Sequence, residues 1–272
     1  MSITKRIDQA REAYSQRDLP SSAAAHDPRR IAEAAHERHG GAGSTYIGDF
    51  VYGGLDGIVT TFAVVSGVAG ASLGAHVVLI LGMANLLADG FSMATGAYLS
   101  SRSQGEYYDR EWQREAWEVD NFPEGEKAEL IELYKVQGYP DRDAQGLVEI
   151  QSQDKQRWIR TMMMEEVGLI PAERRPISAG LATFGAFVSA GALPLIVYVV
   201  GIFTPISAGT ALPISVALSA LALFALGAAK VFVTNRNPIR SGIEMLLVGG
   251  LAAAVAYMVG ALLRGIGLGA SG

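Results

Sequence analysis

The sequence predicts an all-α polytopic membrane protein, with five transmembrane helices and a cytoplasmic three-helix insert between spans two and three. Three observations carry this. First, residues 57–88, 176–229 and 245–263 contain no Lys, Arg, Asp or Glu. A soluble domain must wet its surface and cannot hide such blocks, whereas ~20 apolar residues in a helix cross a bilayer. Second, the acids are concentrated. Residues 101–177 hold seventeen of the 27 Asp and Glu in the 272-residue chain. Third, Lys and Arg alternate in placement: seven in residues 1–46, eleven in 101–177, and Lys230, Arg236 and Arg240 in the connection between spans four and five, with none in the two opposite loops. The positive-inside rule then puts the N-terminus and the insert in the cytoplasm and the C-terminus on the far side.

In chain order, residues 1–45 form a polar cytoplasmic tail, part of it suited to an amphipathic helix. Its His26, His36 and His39 are scattered and read as solvated. Lys5 and Arg6 have no apolar run behind them, so no cleavable signal peptide is expected. Residues 46–100 hold spans one (46–69) and two (75–99), joined by a short GASLGAH turn. Residues 177–265 hold spans three (177–203), four (212–233) and five (242–263), followed by a tail at 266–272. The long uncharged block should break from Thr204 and Pro205 through Pro213, and the next turn falls at Asn235, Asn237 and Pro238. Glu244 and Lys230 read as interfacial groups or a mutual ion pair.

Within the insert (101–176), span two should run on into a first helix as far as Pro123, with Gly105 as its weak point. A second helix covers 124–137, ended by Gly138, Tyr139 and Pro140. A third covers 142–167 and ends at Gly168. Glu111, Glu115 and Glu118 share a face of the first helix, and Glu106 lies on another with Asp109. Late in the insert stands MMMEE, where Met162 and Glu166 are at i, i+4 and Met163 and Glu166 at i, i+3. A solvated acidic bundle is the bland reading, since eleven basic residues could pair many of these acids. Adjacent thioethers argue for metal: carboxylates bind hard cations, and thioether shifts preference to softer first-row ions.

The spans offer their own polar residues. Asp56 lies about ten residues into span one, about 14 Å deep. Asp89 and Met93 are one turn apart on span two, and Met93 reaches a depth comparable to Asp56. An acid inside the bilayer costs ~2.5–3.5 kcal/mol on insertion scales and normally faces a cavity or a partner. The chain has no Cys, and HExxH, CxxC, P-loop and GxSxG patterns are missing. No enzyme activity, organic cofactor or nucleic-acid partner is expected.

DGIVTTFAVVSGVAGA in span one, DGFSMATGAYLSSRSQ in span two and WIRTMMMEEVGL in the insert resemble the vacuolar iron transporter family, in a bacterial-type member, over residues 48–263. The resemblance implies a homodimer of five-span protomers that exports Fe2+ from the cytoplasm in exchange for protons. Mn2+, and at the insert Co2+ or Zn2+, are further candidate ions. It implies a transport path through Asp56 and Met93, with Asp89 expected to supply the carboxylate of a glutamate that plant members carry where Ala97 stands here. It implies metal ligands Met162, Met163 and Glu166, with Glu106, Glu111, Glu115 and Glu118 as candidates from the first helix. A bacterial cytoplasmic membrane is the expected location. A membrane scaffold or metal sensor, whose insert binds a soluble partner, is the competing function. A scaffold has no need of a carboxylate deep in span one.

Overall fold

The computed structural model describes residues 5–34, 42–171, 174–204, 206–229 and 237–268. These are helical almost throughout: α1 (Lys5–Gln16), α2 (Leu19–Ala25), α3 (Pro28–Ala34), α4 (Ala42–Gly70), α5 (Ala75–Asn121), α6 (Pro123–Val136), α7 (Asp141–Ser152), α8 (Lys155–Glu165), α9 (Pro176–Gly191), α10 (Ile196–Phe203), α11 (Ala208–Ala229) and α12 (Pro238–Leu263). No strand occurs among the described residues. They divide into two compact units, residues 1–94 with 178–272, and residues 95–177.

The first unit holds the apolar helices. Five stretches are long and apolar enough to cross a membrane: Tyr46–Gly70, Ala75–Asn121, Pro176–Phe203, Gly209–Ala229 and Pro238–Gly267. The protein is an integral, multi-pass membrane protein. Its outward faces agree, because Phe91, Leu221, Leu251 and Leu262 lie exposed, a cost that lipid removes. Inside, Val65, Val78, Leu86, Phe187, Leu195 and Tyr198 form a core. Glycines let the helices approach backbone to backbone. A Cβ on Gly57 of α4 would strike the Phe187 carbonyl of α9, and one on Gly260 of α12 would strike the Gly67 carbonyl of α4. Small residues serve this purpose in membranes, where helix association rests on close packing.

Three boundaries differ from expectation. The third span is interrupted by a 3₁₀ turn at Leu193–Leu195 around Pro194. The carbonyl of Pro194 accepts a hydrogen bond from Ser215 Oγ at 2.7 Å, so the irregular backbone is satisfied inside the unit. The fourth span starts at Ala208 and runs through Pro213 instead of breaking there. Pro213 is the sixth residue of this helix, past the first four N–H groups that have no intrahelical partner, so it forgoes one helical hydrogen bond, the one its N–H would make to the Gly209 carbonyl, and the helix runs on beyond it. The fifth starts at Pro238, because Asn237 caps it by accepting from Ile239 N and Arg240 N, with proline pre-set for the first turn. Glu244 pairs with Arg240 at 3.5 Å. Lys230, Arg236, Asn235 and Pro205 lie outside the described residues, as do His36 and His39.

Among the described residues of the tail, 5–34 form three short helices. Arg6 Nη1 donates to the Ala25 carbonyl at 3.4 Å, Arg30 Nη1 donates to Gln9 Oε1 at 2.9 Å, and Ala13 and Ala25 are buried. His26 ends α2, its Nδ1 at 2.8 Å from the Ser22 carbonyl.

The second unit has one helix more than expected. α5 continues unbroken through Gly105 to Asn121, and α6 stops at Val136, two residues before Gly138. Gly138 adopts φ +99°, and Tyr139 N donates back to the Tyr134 carbonyl at 3.1 Å, the left-handed glycine stop common at helix C-termini. The expected third helix is instead two, α7 and α8. Asp154 takes an extended conformation between them and its side chain accepts from Arg157 N at 2.7 Å. An N-cap of that kind starts a new helix, not a continuation of the old one. Val119, Leu130, Tyr134, Val148, Trp158, Ile159, Met162 and Met163 form the core of this unit.

Candidate functional site

Every helix of the second unit except α7 brings acids to one place. Glu115 of α5, Glu126 of α6 and Glu166 at the end of α8 have carboxylate oxygens within 4.8 Å of one another. Glu115 is fully buried and Glu126 is 7% exposed. Local sequence explains the aim of each. Glu115 lies one turn before Val119 on the core face of α5. Glu126, Leu130 and Tyr134 are the buried residues of α6 and follow at i, i+4, i+8, so a carboxylate opens an apolar stripe. Glu166 caps α8, its N–H donating to the Met162 carbonyl. Met162 and Met163 are themselves fully buried in the core.

Burial without full pairing costs energy, and the carboxyls respond. Burial, reinforced by Glu166, pushes Glu115 up to about 8, against the counter-pull of Arg114. Burial, then Glu118 and Glu129, pushes Glu126 up to about 7. Glu129 is also raised, by burial and by Glu166. Neither Glu115 oxygen has a hydrogen-bond partner, nor does Glu126 Oε2. Arg114 Nη2 does lie against Glu115 Oε1, as a charge contact without hydrogen-bond geometry.

The remaining expected residues fall into two groups. Glu111 and Glu118 stay at the rim of the cluster, each bound to Arg114. Glu111 is also held by Arg110 and is lowered chiefly by those arginine hydrogen bonds. Glu106 is elsewhere: it is exposed and paired with Arg102 at 2.7 Å. Glu126 and Glu129 were not among the expected residues. Such a group can hold a divalent ion, because several convergent oxygens replace its water.

In the first unit, Asp56 of α4 and Asp89 of α5 are both partly buried and stand within electrostatic reach of each other. Met93, one turn beyond Asp89, packs against the apolar core. Beside Asp56, Thr60 Oγ1 donates to the Asp56 carbonyl at 2.8 Å.

Residues 47–261 match the VIT family. Named relatives agree along nearly the whole chain. A protein of Toxoplasma gondii named vacuolar iron transporter is 40% identical over 95% of this chain and 88% of its own length. One of Plasmodium falciparum with the same name is 34% identical over 96% of this chain and 98% of its own. Vacuolar iron transporter 1 of Arabidopsis thaliana is 33% identical over 81% of this chain and 87% of its own.

Proposed function

This chain belongs to the VIT family, and we propose that it carries iron(II), and also manganese(II), out of the cytoplasm in exchange for protons. Its relatives are named for iron transport. The observation that carries the mechanism is the intramembrane acid pair, Asp56 and Asp89, in helices with no charge from residue 57 to 88. A buried carboxylate must be neutralised by a proton or by a cation. Metal binding requires the deprotonated group, so the two compete for the same oxygens. Met93 adds a soft donor that favours iron(II) over magnesium. A medium more acidic on the far side returns the proton and frees the metal.

The working form is a homodimer. One protomer's acid pair and thioether are few ligands for an ion stripped of water, and a two-fold axis beside spans one and two doubles them; such pairing is the commonest oligomeric symmetry. The insert, on the cytoplasmic side by the positive-inside rule, collects the ion. Glu115, Glu126 and Glu166 supply hard oxygens, Glu118 and Glu129 stand beside them, and Met162 and Met163 supply sulfur from the same core.

The test is flux in proteoliposomes holding a pH-sensitive dye at clamped membrane potential. External iron(II) should drive protons opposite to the metal. Metal entry at full rate without a dye response would make the protein a channel or uniporter. No metal entry would leave the scaffold or sensor reading standing.

A further inference from the structure

Arg114 stands where the cluster would hold a cation. Its Nε reaches Glu111 at 3.0 Å and its Nη1 reaches Glu118 at 2.5 Å. Its Nη2 alone spans Glu115 and, at 3.5 Å, Glu166. Those two are members of the converging trio. One positive charge thus serves four carboxylates on two helices, while Glu126 Oε2 stays buried without a hydrogen bond. Arginine does not lose its proton at any accessible pH, so this charge leaves only by moving. Its side chain is 39% exposed, which gives the guanidinium a way to solvent.

We propose that Arg114 is a tethered stand-in cation, which occupies the carboxylate cluster of the metal-free protein and must swing aside before a divalent ion binds, thereby setting the concentration at which the insert loads. This rests on the reading of the cluster as a metal site. The oxygens of Glu115 and Glu166 cannot hold a guanidinium and a metal ion together in a space of 4.8 Å. The rim pair makes displacement easy. Glu111 and Glu118 lie at i−3 and i+4 from Arg114 on the same helix, so the guanidinium can keep both when it gives up the inner pair. The arginine therefore pre-assembles the mutually repelling acids and competes with the ion they are assembled for. A purely bracing arginine would do only the first.

The two roles differ in sign. Cobalt(II) binding is measured by calorimetry on the full chain in detergent at pH 8, where protons compete least. The insert's site is identified as the heat that Glu126→Gln removes. Arg114→Gln should bind cobalt(II) at least about tenfold more tightly, the scale on which a charge a few ångströms away biases a carboxylate. Arg114→Lys, which keeps the charge without the planar fork, should fall between. Millimolar guanidinium chloride should weaken cobalt binding by Arg114→Gln back toward wild type, an effect that loss of a brace would not produce. Equal or weaker binding by Arg114→Gln with native tryptophan emission would overturn the proposal and leave the metal site intact. If that variant loses its native emission, Arg114→Lys decides: tighter binding supports the proposal and unchanged or weaker binding overturns it. Cobalt heat that is indifferent to Glu126→Gln would remove the metal site and the proposal together.

Discussion

Glu115→Gln should make the metal-free insert more stable in alkali while destroying its metal site. Glu115 is fully buried with neither oxygen hydrogen-bonded, and its carboxyl titrates at about 8 against an ordinary 4.5. Between those values the folded state holds a proton that the unfolded state has released, so wild-type stability falls as pH rises from about 4.5 and levels off above about 8. Glu126, raised to about 7, adds to the same slope. At about 1.4 kcal/mol per pH unit the Glu115 gap sets an upper limit of roughly 5 kcal/mol, and proton sharing within the cluster brings the expected loss to about 2–4 kcal/mol. Glutamine keeps the volume and carries no titratable proton. All three tryptophans, Trp112, Trp117 and Trp158, lie in the insert, so their emission follows its unfolding by urea in the full chain. Without metal, wild type should lose midpoint concentration from pH 5 to 8, and Glu115→Gln should lose much less and exceed wild type at pH 8. Added cobalt(II) should rescue wild type at pH 8 and not the variant. A variant with the wild-type slope, or one less stable than wild type at pH 8, would show that Glu115 holds no extra proton in the folded state, and would refute this account of the slope.

Replacing Met162 and Met163 together by Leu should weaken cobalt(II) and iron(II) binding several-fold while costing less than about 1.5 kcal/mol each in stability, because the swap nearly conserves volume; calorimetry and urea titration separate the two. Asp56→Asn should abolish transport into proteoliposomes with expression and dimerisation unchanged, and Met93→Ala should slow it and shift metal preference; wild-type flux through Asp56→Asn would move attention to Asp89. Glu106→Gln should leave metal affinity as it is and change stability by under about 1 kcal/mol, the worth of an exposed ion pair.

How much of this was legible depended on how far apart in sequence the determinants lie. The five spans rest on composition within single segments, and each was found. The break between α7 and α8 was also local: Asp154 before Lys155–Glu165 is an N-cap signal, overlooked because the apolar residues recur across it. Pro213 misled in the opposite sense, since it forgoes a single hydrogen bond and the helix runs on past it. On α5, the face carrying Glu111, Glu115 and Glu118 was correctly grouped, but burial separates them: Glu115 points into the core and the others sit at its rim. Glu126 was within reach, as the first residue of the stripe it forms with Leu130 and Tyr134. Glu106 was a candidate because the resemblance does not single out which first-helix glutamates it implies, and only the structure shows its Arg102 partner. Arg114 could not be found. Its importance depends on the end of α8 meeting α5, with Glu166 fifty-two residues away, and no periodicity encodes that.

The two sets of acids are neutralised differently. In the insert, buried carboxylates keep company with an arginine, so the cluster has a resting state that needs neither metal nor a full complement of protons. Among the described residues neither Asp56 nor Asp89 has an ion-pair partner, and no Lys or Arg occurs between them in the sequence. Charge inside an apolar span is costly, so a cation entering the proposed path meets acids that no fixed cation already serves. In the proposed function the insert only collects the ion, so it can tolerate a tethered competitor that sets its threshold. The proposed path through Asp56 and Asp89 cannot, because a fixed cation would occupy it in every state and block the proposed exchange of proton for metal. An arginine placed beside Asp56 in span one should therefore abolish proton-coupled flux while leaving cobalt binding at the insert unchanged. Retention of coupled flux in such a variant would show that the ions pass elsewhere.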